Sequence, residues 1–562
     1  MGVAAGPQFG AQNKGYEIYG FETENTDCVF IVNTEAVTPG ATSFTIRTTG
    51  TCTYVVDWGD DSSETVTTTT ATHNYSTAGT YNVGIRVVSG TFRPYYNNNA
   101  DGDVITKFRG RSDFEFTGSL DGAFYGCGNL DEITADFSNV TSITNAFRDT
   151  PLVDFQNTGA GATVLNQNLF GFNDLSSVTS NTSAFTNCSS LKNIVGLDFS
   201  STTSLSGVFD GTTNPVRFGT ENLPIKLGTT AGDLSLSSLF SQKTNLREVH
   251  LDYGERISSL QSAFYQSGIT TFSVGDNNLS NCTSMQNAFI YSSLTEFPGV
   301  NLVGCTSLYQ AFQQGSLVKF GTQANPVGLG STADNPSTCS LVQAFYSTSS
   351  FKEFHVDSGD RISSLNNAFY QSGITTFSVG DNDLSNCTSL RSAFFATPLT
   401  EFSGFNLVGC TDFHKAFQSN TALVNFGTQA NPIGLGTIGD NASTCTWPDT
   451  FYGVSTLKEV HIDSGTRVGD FSASFVNTGI TTFRINDTNL SSVTTMSSAF
   501  LNSALDTASI ENILVSCDNG GKSSITLTLS GGSNAAKTTW TSAANTAYTN
   551  LIGKSWTITY NA

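Results

Sequence analysis

Charge is scarce in this chain. Only 13% of its 562 residues are Asp, Glu, Lys or Arg, against roughly 25% in ordinary soluble domains. Basic residues are the rarer sign, 25 against 46 acidic ones, so the net charge is −21. Such a chain is repelled by phosphate backbones and anionic bilayers, which excludes nucleic acid as an electrostatic partner. Long apolar runs are missing as well. No stretch approaches the ~18 apolar residues of a membrane-spanning helix, so no membrane insertion is expected. The first residues, Met1 to Gly10, have neither a basic stretch nor an apolar one, so no secretory leader is expected. Trp556 to Ala562 carry no lipidation signal.

Paired cysteines are also lacking. There are 11, an odd number, widely spread, with no CxxC pair. That speaks against a dense disulfide scaffold and against zinc spacing; buried free thiols are expected. No Ser-His-Asp order, P-loop, GxGxxG or HExxH pattern occurs. No acidic pair suited to glycoside hydrolysis recurs in one coil. The expectation is a protein without cofactor or catalysis.

What is abundant is phenylalanine, 42 residues in a chain that is 38% hydrophobic. A disordered chain would pair low hydrophobicity with high charge. The phenylalanines are periodic. Residues 250–289 recur almost unchanged at 355–394, and a looser copy begins at His461. Within each large repeat Phe returns at 240, 264, 289, 312, 345, 369, 394, 417, 451, 475 and 500, in steps of 23 to 25 with a longer step of 33 or 34 at every fourth coil. The longer steps hold insertions, near Asn325–Ser337 and Asn431–Ser443, expected to emerge on one side and to be dispensable for folding. Less regular members stand at Phe124, Phe147, Phe170, Phe185 and Phe209.

A period of 20 to 29 residues belongs to leucine-rich repeats. The register agrees. Ile269, Phe272, Val274, Asn277 and Leu279 fit L-x-x-L-x-L-x-x-N-x-L, and Ile374, Phe377, Val379, Asn382 and Leu384 repeat it. Positions one, four and six point inward from a short strand. The Ser-Leu-x-x-Ala-Phe segment returns on the opposite side, with Phe as the core plug. One coil cannot bury such a face, whereas stacked coils can.

The block Asn281-Cys-Thr-Ser-Met-Gln-Asn-Ala-Phe289 and the Leu-Thr-x-Phe strand after it resemble the BspA-like leucine-rich repeat family. The resemblance covers residues 116–515. It implies a surface protein, commonly adhesive, of bacteria, microbial eukaryotes or phages. At the front, Trp58-Gly-Asp-Asp61 followed by His73, Tyr75, Gly79, Tyr81 and Val83 resembles a PKD-type β-sandwich, with Asp61 where that family usually has Gly.

The expected fold is therefore mainly β with short helical turns. It comprises an N-terminal arm (1–25), a PKD/Ig-like β-sandwich (26–92), a linker and solenoid entry (93–115), the leucine-rich-repeat solenoid (116–515) and a small α/β C-terminal capping unit (516–562). The cap is read as strand (525–529), helix (539–551) and strand (556–560).

Three clusters are candidates for chemistry. Asp57, Asp60 and Asp61 on one tight turn are a weak calcium site; the alternative is an acidic turn capping its own amides. Glu248 and His250, Glu353 and His355, and Glu459 and His461 are i, i+2 pairs that share a strand face. At about 5 Å per rung they stand too far apart for one metal site, so solvated surface pairs copied by duplication are expected. Cys282, Cys305, Cys387 and Cys410 each precede their Phe by seven residues, a ladder of buried thiols.

The third strand position forms a column: Glu248, Thr271, Glu296, Lys319, Glu353, Thr376, Glu401, Asn425, Glu459 and Thr482. With His250, His355 and His461 it is the expected binding face. Such a face suits many weak contacts with a host-surface glycan or protein. The expected protein is a virion appendage or fibre, attached to other structural proteins through its N-terminal region and oligomeric or arrayed. A bacterial cell-surface adhesin is the alternative, and a glycan-active enzyme a second one.

Overall fold

The computed structural model describes residues 26–111, 114–152, 175–213, 215–229 and 232–562. They divide between two compact units, Met1–Pro215 and Val216–Ala562. The first unit opens with seven strands: β1 (Cys28–Asn33), β2 (Ser43–Arg47), β3 (Cys52–Asp57), β4 (Ser63–Val66), β5 (Thr70–Asn74), β6 (Thr80–Gly90) and β7 (Ile105–Gly110). Three more follow, β8 (Glu115–Ser119), β9 (Glu132–Thr134) and β10 (Asp136–Ser142). One sheet runs β4-β3-β6-β1-β7-β9, and β2 pairs with β5 in a second. Inward residues alternate along β3, where Cys52, Tyr54 and Val56 are buried, as a half-solvated strand requires. Phe30 of β1 meets Phe44 of β2 at 5.9 Å between ring centroids, so the two sheets share one aromatic core.

Within the expected linker and solenoid entry, 93–115, only the linker part differs. Strand β7 lies inside that stretch and pairs antiparallel with β1 and parallel with β9. Tyr96 is buried there too. The sandwich sheet therefore runs directly into the first repeat strands. The expected N-terminal arm, 1–25, and Phe170 lie outside the described residues. The plugs Phe124, Phe147, Phe185 and Phe209 stack in turn, Phe147 on Phe185 at 5.4 Å.

The second unit is a β-solenoid. Each coil gives one short strand to a parallel ladder. Thus Glu248–Leu251 pairs with Thr271–Val274, and Glu353–Val356 with Thr376–Val379. A second ladder runs through Ser259, Ser284, Ser307 and Ser340. Between them the chain turns around the Phe plug. Phe264, Phe289, Phe312, Phe345, Phe369 and Phe394 stack at 5.0 to 5.4 Å. Ring edges from the strand residues Phe354 and Phe377 meet Phe369. Each such pair adds about 0.5–1.5 kcal/mol beyond area burial.

The returning arc is built from turns with left-handed residues. Two residues before and after each plug, φ is positive: Ser262 and Gln266 at 54° and 52°, Asn367 and Gln371 at 52° each. The left-handed residues turn the backbone tightly enough for Ala and Phe to point inward. Amides then bond to the next coil, as Phe264 N does to Ala288 O.

Among the described residues, α-helix occurs as α1 (Thr507–Asn519) and α2 (Ser542–Gly553). The cap thus begins earlier than the expected 516. Helix α1 takes the place of the next strand: Ser509 Oγ accepts from Phe483 N, and Asn512 accepts from Ile485 N and donates to Ile485 O. Side chains so satisfy the edge of the last ladder strand, Thr482–Ile485. Strands Thr526–Leu529 and Thr557–Tyr560 form a parallel pair close to the expected positions.

Candidate functional site: the strand face and its loops

The predicted column forms. Glu248 pairs with Thr271. Glu296, Lys319, Glu353 and Thr376 align in one sheet, and Glu401, Asn425, Glu459 and Thr482 in another. Thr271, Glu296, Thr376 and Glu401 are exposed, while Glu248, Lys319, Glu353 and Glu459 are half-buried. Opposite charges meet across rungs: Lys319 lies 3.7 Å from Glu353, and Arg217 lies 3.6 Å from Glu248. The column is polar and in register, as its sequence spacing requires.

The histidines depart from expectation. His355 is 6% and His461 5% exposed, so neither is a solvated surface residue. The cause lies one coil earlier. Gly219, Gly321 and Gly427, each with φ between +66° and +79°, turn the chain out of the ladder beside His250, His355 and His461. Ile225, Val327 and Ile433 then rejoin it, each donating its N–H to that histidine's carbonyl. A Cβ at any of these glycines would sit within 2.7 Å of the carbonyl oxygen, so only Gly fits. The loops between, 322–326 and 428–432, leave the ladder at equivalent positions, with an earlier counterpart at 220–224.

Burial pushes His250 and His461 below the ordinary histidine range, against the opposing pull of Glu248 and Glu459. His250 Nδ1 lies 2.7 Å from Ser273 Oγ. Its Nε2 is 3.9 Å from Glu248, beyond hydrogen-bond reach, so serine, imidazole and carboxylate do not form a relay. Ser378 pairs with His355 in the equivalent position, yet His355 Nδ1 is buried without a hydrogen bond. The pairs fix the loops' flank and leave the exposed Glu and Thr side chains as the part of the face a partner can reach.

The rest of each insertion is not dispensable decoration. Arg361 is fully buried, and its hydrogen-bond partners are backbone carbonyls: Ser337 at 2.7 Å, Val303 at 2.5 Å, Cys305 at 3.1 Å, and Leu329. Arg467 repeats this with Ser443, Val408, Leu435 and Cys410. Arg256 binds Gly232 and Leu227 in the same way. These arginines staple the insertion to the coils beneath. The expectation that the solenoid folds without an insertion therefore has to reckon with these bonds. The triplicated Gly254-x-Arg256-Ile, Gly359-x-Arg361-Ile and Gly465-x-Arg467-Val was the signal in the sequence.

The other candidates resolve against metal. Asp57 accepts from Gly59 N at 2.9 Å, and Asp60 accepts from Ser62 N at 3.2 Å and lies 2.8 Å from His73 Nε2. Desolvation alone would raise the Asp60 carboxyl, but the bonds and charge of Ser62 and His73 outweigh it and hold it low. Asp61 takes a left-handed φ of 68°. The acidic turn caps its own amides, the alternative expected beside a weak calcium site. Among the described residues no group of three or more His, Cys, Asp or Glu could hold a metal ion. All 11 thiols are free and buried. Burial pushes Cys282 and Cys387 up to about 12.

The coils now have both a geometry and a counterpart. The sequence profile of the BspA type leucine rich repeat region matches residues 118–214 and 236–325, in six copies. These coils are similar to BspA-type leucine-rich repeats. The same plug, strand and turn continue past residue 325 to Phe500. No curated protein and no solved structure matches the chain.

Proposed function

We propose that this protein recognises a surface without catalysis, through the repeat solenoid. The carrying observation is the in-register column of exposed Thr271, Glu296, Thr376 and Glu401 on the strand ladder. Repetition supplies many equivalent weak contacts, and their sum gives useful affinity when copies act together. BspA-type repeats support a surface-exposed setting. The N-terminal sandwich, of PKD type on this reading, holds the solenoid to a larger assembly, and the protein is a virion appendage contacting a host-surface glycan or protein. The BspA-type match itself favours a second reading, an adhesin on a bacterial cell surface.

The test is binding of the labelled full chain to candidate cells, with immunogold labelling of virions and of producing cells. Saturable cell binding without glycan shortening is expected. Release of cleaved glycan would overturn the non-catalytic reading. Label on cell envelopes and not on virions would move the assignment to the second reading.

A further inference from the structure

The strand face is the charged side of the coil. The arc around the Phe plugs has a different chemistry. Its outward positions are the two residues before the Ala-Phe pair and the two after it. In the six coils from Phe240 to Phe369 none of these positions is charged, in a chain of net charge −21. Amides and tyrosines dominate them instead: Gln261, Tyr265 and Gln266 in one coil, Tyr309, Gln310, Gln313 and Gln314 in another. Charges stand at these positions in earlier coils, as at Arg148, Asp149 and Asp210, and again in later ones, at Arg391, Lys415 and Asp449.

The side chains form rows along the solenoid. Tyr346 stacks on Tyr370 at 4.9 Å and 4°, and Tyr370 on Phe395 at 4.6 Å and 7°. All three are half-buried, so their edges face out. Gln310 donates to Gln343 at 2.7 Å, linking adjacent coils. Tyr291, one row over, is 50% exposed. The folded core does not need these groups, since Phe and Ala fill it. Each amide offers both a donor and an acceptor, and each aromatic ring an apolar surface beside a hydroxyl.

We propose that this arc binds an extended, uncharged polysaccharide lying along the solenoid axis. The inference rests on the recognition reading and goes beyond it, adding to the strand face a second site on the arc and naming its ligand class. Sugar hydroxyls need paired donors and acceptors, and sugar C–H faces need apolar edges, which the arc supplies on every rung. Coils recur at close to 5 Å, the stacking distance of the plugs, so a linear β-linked glycan can present about one residue to each rung. A uniform lack of charge disfavours acidic polymers and polybasic peptides.

Native affinity electrophoresis of the full chain tests this, in gels cast with hydroxyethyl cellulose, linear galactomannan or polygalacturonate. Retardation by one of the two neutral polymers, retained at high salt, is expected. Y346A/Y370A should weaken it at least tenfold while the melting temperature stays near that of the parent. Glu353→Ala/Glu401→Ala is the comparison on the strand face. Q266A/Q310A, which keeps the aromatic row, should weaken it also and guards against a folding artefact of the tyrosine pair. Retardation lost in the strand-face variant and kept in both arc variants overturns the arc assignment while surface recognition stands. Retardation by polygalacturonate alone, or cell binding with no retardation in any gel, overturns the neutral-glycan assignment and again leaves recognition standing. No binding to gels or to cells overturns both.

Discussion

Replacing Arg361 by Met is the sharpest probe of how the insertions are held. The guanidinium is fully buried among four carbonyls. Two effects oppose one another. Met removes a buried charge, whose desolvation costs several kcal/mol. It also orphans carbonyls that cannot be removed with it, because they are backbone. Val303 O keeps the Asn335 amide as a partner at 2.9 Å; Ser337, Leu329 and Cys305 lose the arginine. Each unsatisfied buried group costs about 1–3 kcal/mol, and the charged bonds are stronger than neutral ones. The carbonyl term, about 3–9 kcal/mol for three orphaned groups, outweighs the desolvation recovered with the charge, with a net loss of about 2–4 kcal/mol. A solenoid sums nearest-neighbour terms, so the loss should be local. Hydrogen exchange should quicken at Leu329, Cys339 and Leu341 and stay slow near Phe264. Arg467→Met should match it one large repeat on. Arg391→Met is the control: that side chain is exposed and pairs with Asp412 at 2.8 Å, an interaction of about 0–1 kcal/mol. If urea unfolding and exchange showed R361M within 1 kcal/mol of the parent, the staple argument would be refuted.

Phe369→Ala should cost about 3–5 kcal/mol as a core cavity, since the ring is fully buried between Phe345 and Phe394; a neutral melting curve would sink the plug assignment. Thiol reagents at pH 8 should find almost no reactive cysteine in the folded protein and 11 in denaturant, because burial keeps the thiols protonated; four or more disulfides would contradict this. His461 has its folded pKa depressed by burial, so the unfolded chain takes up more protons as pH falls through about 6.5, and stability falls with it until the folded pKa is passed. His461→Gln should flatten the change in melting temperature between pH 7.5 and 5; an unchanged slope would argue against it. Ser509→Ala and Asn512→Ala should each cost about 1 kcal/mol and speed exchange at Phe483 and Ile485, whose amides these side chains cover; unaltered exchange there would mean that α1 is not the cap.

The sequence by itself determined the coil. The Phe spacing, the L-x-x-L-x-L strand register and the third-position column are local and periodic, and stacking identical units leaves only one way to align them. The duplicated insertions and the terminal strand, helix and strand were legible for the same reason. Tertiary structure decided what a single coil does not contain. Nothing in Glu-x-His says that a glycine one coil earlier sends a loop beside His355 and buries it. Nothing in Gly-x-Arg says that four carbonyls from other turns converge on Arg361. Strand β7 was hidden in a stretch rich in Asn, Asp and Gly, because its partner β1 lies more than 70 residues before it. Helix α1 was masked by the repeat it ends, since its Ser and Asn matter only against the strand edge they satisfy. The amide and tyrosine columns of the arc were present in the coils from Phe264 to Phe369, yet only the left-handed turns at each plug show that they face outward together. Periodicity along the chain is read from the sequence, whereas what stands beside a residue on the next coil is fixed by stacking.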